Sequence, residues 1–462
     1  MTGRSPLVRA AELCYSAGTA ILAPFFAMFI RLRSRTPYGT RWRELLGYVP
    51  ETDYGSPVWF HTVSVGESMG AKPLIMEFRK THPDIPVLVT TTTATGAAVY
   101  DGVRNMVTHL YAPLDSPLAV KRFLNRVNPR LYVTMETELW PVLLGELKKR
   151  GIPALVMNAR LSDRSRDRYL RAGKLFPEAI GDRISRFICQ TPADLANFAK
   201  LGIPDSRLAV SGSIKFDITP DTRAFEEGRA LRKRLSERRT PEGSPPEESL
   251  DREPLFLTVA STHRGEDPLA LEMFREIRKT VPSLVLVLVP RHPERFQEVW
   301  DLIGESGFRG MRRSQLENEL QDPSFALPEV ILGDSMQELY LYFGMADLTL
   351  MGGSLIDIGG HNPLEPAALG VPVVTGPFIR NFRKIFQEMA AKKASRVIPC
   401  ETLARDLADL LRDPEELKKL GLAAREFIDE NRGALQKTLE EINRILDAGA
   451  AGAEDSRQPS LS

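Results

Sequence analysis

Leu284-Val-Leu-Val-Leu-Val289 is an unbroken apolar run, and Pro290-Arg-His-Pro293 ends it abruptly. Six consecutive Leu and Val residues leave no polar face, so the segment reads as a strand covered on both sides, the pattern of a parallel sheet. Similar short runs flank it at helix-sized intervals: residues 255–259 (LFLTV), 330–332, 348–351 and 371–374. An earlier series has the same rhythm: residues 57–61, 86–90, 108–111, 130–135, 154–157 and 186–189. Helical patterns such as 65–80 and 95–103 lie between these runs. Strands alternating with helices point to βαβ units. The expected fold is α/β, with two doubly wound sheets in tandem.

The expected organisation has five parts: an apolar segment with a basic collar (1–35), a first Rossmann-like domain (36–235), a linker or insertion (236–254, SERRTPEGSPPEESLDREP), a second such domain with closing helices (255–447), and a disordered tail (448–462). Ligands of such sheets bind beyond the carboxyl ends of the strands.

A chain of 462 residues with 43% hydrophobic and 26% charged residues is a folded protein, not a disordered one. A net charge of +1 argues against a nucleic-acid partner. Three cysteines, Cys14, Cys189 and Cys400, form neither a disulfide framework nor a CxxC knuckle. The near-neutral total is an average. Residues 1–50 hold seven Arg and two Glu, a charge of +5, and the remainder, with 54 basic and 58 acidic groups, carries −4.

Residues 13–30 (LCYSAGTAILAPFFAMFI) contain no charge, at the short end of what crosses a bilayer. Arg31, Arg33, Arg35, Arg41 and Arg43 follow, whereas only Arg4 and Arg9 precede, so the positive-inside rule places the rest of the chain in the cytoplasm. A cleaved signal peptide would have the opposite charge bias and a small-residue cleavage site. The expectation is a membrane anchor, spanning or half-inserted, with an interfacial helix as the rival.

Polar loops close the strand candidates. Val63-Ser-Val-Gly-Glu67 follows the first, and Glu67 either answers a helix dipole or acts as a general base facing the cleft. Met135-Glu-Thr-Glu-Leu-Trp-Pro141 follows another: Thr137 or Glu138 is expected to cap the next helix, which leaves Glu136 without a structural job. Lys215, in Ser211-Gly-Ser-Ile-Lys-Phe216, is either a surface charge or a fixed cation. The second series ends in Ser261-Thr-His-Arg-Gly-Glu266, Pro290-Arg-His-Pro-Glu-Arg295, Gly333-Asp-Ser-Met-Gln-Glu338, Gly352-Gly-Ser354 and Gly359-Gly-His-Asn-Pro-Leu-Glu365. Each alone is a turn, but five at successive strand ends suit phosphate binding by helix starts and by Arg291. The chain lacks a phosphate-loop signature, HExxH, GxSxG and a GxGxxG after the first strand. Asp357 is followed by Ile358 and Gly359, so there is no DxD clamp and metal-independent chemistry, without a cofactor, is expected.

HTVSVGES, TTTATGA, METELWP, NARLS, VSGSIKFD, ASTHRGE, PRHPERF, GDSMQEL and GGSLIDIGGHNPLEP, in this order, resemble the 3-deoxy-D-manno-octulosonic acid (Kdo) transferases of lipopolysaccharide assembly. The resemblance spans about residues 10–425. It implies the GT-B arrangement of two Rossmann-like domains with an N-terminal membrane anchor helix. It also implies inverting transfer of Kdo from CMP-Kdo to the lipid A precursor, lipid IVA, at the cytoplasmic face of the inner membrane. By that resemblance Glu67 is the base, while Glu136 and Lys215 stabilise the transition state. Pro290, Arg291, Met336, Gln337, Glu338, Asn362, Pro363, Leu364 and Glu365 bind CMP. Val63, Gln337 and Pro366 stand where family members often have Ala, Gly and Ala. The rival expectations are another GT-B enzyme acting on a UDP-sugar and a non-catalytic nucleotide-binding scaffold.

Overall fold

The computed structural model describes residues 5–238 and 253–455, with side chains described as far as residue 448. The chain forms two compact units, one of residues 1–217 and 432–462, the other of residues 218–431.

Unit 1 is built on a seven-stranded parallel sheet: β1 (Val58–His61), β2 (Val87–Thr91), β3 (Thr108–Tyr111), β4 (Leu131–Met135), β5 (Ala154–Ala159), β6 (Arg186–Cys189) and β7 (Leu208–Val210). Its order is β3-β2-β1-β4-β5-β6-β7. One face packs Trp59, Phe123, Tyr132 and Phe187. The other packs Phe60, Leu74, Phe78 and Val133, and the last helix, Ala434–Asp455, covers it with Ala434, Leu439 and Ile442.

Unit 2 carries the second parallel sheet: β8 (Leu255–Thr262), β9 (Leu284–Pro290), β10 (Gly310–Arg312), β11 (Val330–Leu332), β12 (Leu348–Met351), β13 (Val373–Thr375) and β14 (Arg396–Val397). Its order is β10-β11-β9-β8-β12-β13-β14. Every residue of β9 is buried, as an apolar run with no polar face requires. Two doubly wound parallel sheets in tandem are what the alternation of runs predicts, and they fit the GT-B arrangement that the resemblance implies. The edge strands β7, β10 and β14 do not stand out in the sequence, because none of them is a run of large apolar residues of the kind that marks β11.

The domain boundaries differ from the expected ones. Helix Thr222–Glu237 belongs to unit 2, not to the first domain: Leu231 and Leu235 join Phe256, Leu341 and Met345 in one cluster, and Arg232 pairs with Asp347 at 2.8 Å. Gly228 permits that approach, because a Cβ there would lie 2.0 Å from the Leu341 carbonyl oxygen. The closing helices also divide. The last returns to unit 1, where Arg186 pairs with Glu441 and the Asp217 carboxylate accepts the N–H groups of Gly433 and Leu435. It runs on to Asp455, through the start of the expected tail. Residues 239–252 of the expected linker and 456–462 of the tail lie outside the described residues.

The N-terminal apolar segment is one helix, Pro6–Arg33, and it lies along unit 1. Val8, Ala23 and Ala27 are buried, Ser5 N–H donates to Glu178, Glu12 pairs with Arg183, and Arg31 stacks on Trp42 near the other end. The opposite stripe (Leu22, Phe25, Phe26, Phe29 and Leu32) is exposed.

Candidate active site

The order of the first sheet reverses between β1 and β4, the place where such sheets open a crevice beyond their carboxyl ends. Glu67 and Glu136 leave these two strands. Ser64 caps the helix Val65–Thr81: its Oγ accepts from the Glu67 N–H at 3.2 Å, and Glu67 Oε2 accepts from the Val63 N–H at 2.9 Å. The Ser64 hydroxyl also donates to Glu67 Oε1 at 3.1 Å, so cap and carboxylate hold each other in a variant of the capping box in which the N–H taken up is that of Val63, one residue before the cap. Glu67 therefore has a structural job, and the S-x-x-E spacing announces it. It is also half-buried beside two other carboxylates. Burial raises its pKa, the Val63 and Ser64 hydrogen bonds oppose that, and Glu138 and Glu136 push it further up. A carboxylate tuned upward suits proton abstraction near neutral pH.

Glu136 follows β4 directly. Its N–H donates to the Met157 carbonyl oxygen on β5 at 3.0 Å, and its φ of +57° is left-handed, uncommon without glycine. Its Oε1 stands 3.8 Å from Lys215 Nζ, which a 3-10 turn, Ile214–Phe216, presents just after β7. The structure thus brings Glu67, Glu136 and Lys215 to the carboxyl edge of one sheet. His61, at the end of β1, is buried beside the Trp140 ring, and burial lowers its pKa to about 4, so it is neutral at pH 7.

The capping expectation for Thr137 or Glu138 is corrected. Glu138 instead accepts from the Trp140 indole N–H at 3.0 Å. The helix Pro141–Lys149 is capped from a distance: Asp115 accepts the N–H groups of Val142 at 3.1 Å and Leu143 at 2.7 Å. No local pattern could have revealed this, because Asp115 sits 27 residues before Val142 and only the fold brings it there.

The second sheet reverses between β8 and β12. There the buried Glu266 carboxylate accepts four N–H groups: His263 at 2.9 Å, Gly353 at 2.7 Å, Ser354 at 3.0 Å and Leu355 at 2.9 Å. It ties the loop after β8 to the loop after β12. Gly352 is obligatory in that approach, since a Cβ would lie 2.6 Å from the Ser261 carbonyl oxygen. Neighbouring Asp267 pairs with buried Arg295. In the sequence Glu266 is only the last residue of a polar loop, with nothing to mark these four donors.

Around this frame stand the other candidates. Arg291, exposed, follows Pro290 at the end of β9. His263 Nε2 lies 2.8 Å from His361 Nε2, and burial lowers the pKa of both, His361 to about 4. Asn362 Nδ2 approaches Glu365 Oε1 at 3.4 Å, and its Oδ1 accepts from the Leu364 N–H at 3.2 Å, with Pro363 between. Burial raises the Glu365 pKa, while Asn362 and Arg291 pull it down. Met336 and Gln337 are exposed after β11, and Gln337 has a φ of +67°, a left-handed conformation that glycine adopts without strain. Glu338 accepts from the Ser335 hydroxyl and pairs with Arg313 at 3.4 Å. Unit 2 thus combines cations and ring N–H donors, suited to phosphate, with a buried carboxylate able to accept from hydroxyls. Among the described residues no group of three or more His, Cys, Asp or Glu side chains is arranged to hold a metal ion.

Residues 40–218 match the family described as 3-Deoxy-D-manno-octulosonic-acid transferase (kdotransferase), and residues 247–427 match Glycosyl transferases group 1. The chain is 37% identical to the 3-deoxy-D-manno-octulosonic acid transferase of Haemophilus influenzae, over 94% of this chain and 98% of that one. It is 32% identical to the Bordetella pertussis protein of the same name, over 85% and 88%. A crystal structure of the C-terminal CMP-Kdo binding domain of WaaA from Acinetobacter baumannii is 29% identical, covers 44% of this chain and 97% of its own, and has a TM-score of 0.38.

Proposed function

The chain belongs to the 3-deoxy-D-manno-octulosonic acid transferase family of glycosyltransferases, and on that premise we propose that it transfers Kdo from CMP-Kdo to lipid IVA, with inversion and without a metal ion, at the cytoplasmic face of the inner membrane. The observation that carries the catalytic reading is the meeting of Glu67, Glu136 and Lys215 where the first sheet reverses. In this reading Glu67 takes the proton of the acceptor hydroxyl as its oxygen attacks the anomeric carbon of Kdo. The bond from that carbon to the phosphate oxygen breaks, and its electron pair leaves with CMP. Lys215, beside Glu136, faces the Kdo carboxylate and the charge that develops beside it. Pro290, Arg291, Met336, Gln337, Glu338 and the run Asn362-Pro363-Leu364-Glu365 hold CMP, Arg291 at the phosphate and Glu365 at the ribose hydroxyls.

The helix Pro6–Arg33 supports a seat on the membrane. It packs along unit 1 through Val8, Ala23 and Ala27, and a stripe of Leu22, Phe25, Phe26, Phe29 and Leu32 faces outward, flanked by the arginine collar. A helix held along a folded unit in this way enters one leaflet rather than crossing both. The collar then meets anionic headgroups and the phosphates of the acceptor.

Mass spectrometry of the product from CMP-Kdo and lipid IVA, with chelator present, tests the whole reading. A Kdo increment on the lipid is expected. Transfer from a UDP-sugar but not from CMP-Kdo, or a strict magnesium requirement, would overturn it.

A further inference from the structure

Asn158 is the penultimate residue of β5, beside β4 and the Glu136 turn, and it is fully buried. Its φ is +53°, close to the +57° of Glu136, so near the carboxyl ends of two neighbouring strands the backbone turns left-handed on residues that are not glycine. The pairing of β5 with β6 also slips register between Val156 and Ala159, around this residue. Backbone held in such sparsely populated conformations is kept only where its surroundings enforce it.

The surroundings are specific. Asn158 Oδ1 accepts from the Ile214 N–H at 3.4 Å, one residue before Lys215. The Asn158 carbonyl oxygen accepts from Gln190 Nε2 at 3.2 Å. On the other side, the Glu136 N–H donates to the carbonyl oxygen of Met157. One hydrogen bond thus joins Glu136 to the residue before Asn158, and another joins Asn158 to the residue before Lys215. The Ile214 N–H fixes the amide orientation, because the oxygen has to face it. That leaves Asn158 Nδ2 buried, with no hydrogen-bond partner among the described residues. An asparagine present only because it tolerates a positive φ would account for the backbone. It would account neither for the bond to the Lys215 turn nor for the buried amide group.

Lys215 needs such help. It is 45% exposed and its ion pair with Glu136 is loose, at 3.8 Å, so attraction alone fixes neither side chain. We propose that Asn158 is a positioning residue that registers the Lys215 turn against the Glu136 turn. Its amide is a clamp that ties β5, whose Met157 carbonyl holds the Glu136 N–H, to the turn after β7. The inference rests on the proposed roles of Glu136 and Lys215.

The full chain, assayed with CMP-Kdo and lipid IVA, tests it through Asn158→Gly, Asn158→Asp, Lys215→Ala and the double variant Asn158→Gly/Lys215→Ala. Glycine adopts the positive φ without strain, so it removes the clamp and leaves the backbone satisfied. Asn158→Gly is expected to lower kcat at least tenfold with KM for CMP-Kdo changed less than threefold. Asn158→Asp keeps the acceptor oxygen and is expected to be faster than Asn158→Gly. In the Lys215→Ala background, Asn158→Gly is expected to cost less than threefold more, since the residue it positions is already gone. An Asn158→Gly rate within twofold of the parent, or a double variant showing the product of both losses, would overturn the clamp. Should Asn158→Gly lose its cooperative unfolding transition, Asn158→Ser, too short to reach Ile214, carries the same expectations. A Lys215→Ala enzyme with the parent rate would instead refute the role given to Lys215. A slow Lys215→Ala beside a normal Asn158→Gly refutes the clamp alone.

Discussion

The Nε2 atoms of His263 and His361 stand 2.8 Å apart, with their rings within 9° of one plane. Two imidazoles in that arrangement share one hydrogen bond, so one ring donates and the other accepts. Burial depresses both pKa values, and Arg291 and His292 depress them further, so the pair is neutral near pH 7. A phosphate placed there would offset these cations and favour the protonated pair. CMP is therefore expected to bind more tightly as pH falls from 8 to 6, with proton uptake seen by calorimetry in buffers of different ionisation enthalpy. His361→Leu should flatten that dependence. An affinity that does not vary with pH in the parent protein would refute the prediction.

Glu67→Gln is a clean probe, because a glutamine oxygen can still accept from the Val63 N–H and the helix start should survive. The expected loss in kcat is about 10²–10⁴-fold, with CMP affinity and Tm nearly unchanged. The raised pKa of Glu67 places the acidic limb of the rate profile above the ordinary carboxylate range. Turnover surviving in Glu67→Gln would reduce Glu67 to a helix cap.

Asp115→Ala leaves two first-turn N–H groups of the helix Pro141–Lys149 without their acceptor. The loss of a cap costs about 1–2 kcal/mol, and thermal unfolding should register it. Asp115 also lies beside the Tyr15 side chain of the N-terminal helix. Lipid-acceptor turnover is therefore expected to fall more than CMP affinity. Equal loss of both would mean a general defect.

His61 and His109 are neutral in the fold: burial lowers their pKa values to about 4 and about 3, and for His109 Arg41 adds to the effect. The unfolded chain binds protons below pH ~6.5, and the native state does not until far lower. Their contribution is present above pH ~6.5 and is lost as pH falls toward 4 and 3, about 3 kcal/mol for His61. Tm should drop steadily over that window, and His109→Gln should lessen the slope. A parent Tm that does not change between pH 7 and 4.5 would contradict this.

What could be read from the sequence follows from the range over which each feature is determined. The run ending at Val289 needs no partner to be recognised as a doubly covered strand, and β9 is buried throughout. The Ser64–Glu67 box is encoded in four consecutive residues. Asp115, Glu266 and Asn158 are different, since each acts on backbone groups that the fold delivers from elsewhere in the chain. Their type and spacing carry no trace of those partners. The amphipathic last helix shows that it must be buried, but not against which unit. For that reason the expected boundary at 447 misplaced it.

The return of that helix makes residues 218–431 an insertion within unit 1. During synthesis the ribosome completes the inserted unit before it releases the helix that finishes the first one. Until residues 434–446 emerge, the face formed by Phe60, Leu74 and Phe78 lacks its cover of Ala434, Leu439 and Ile442. The unit that begins first is thus the last to close, and the nascent chain carries an open apolar face for about half its translation.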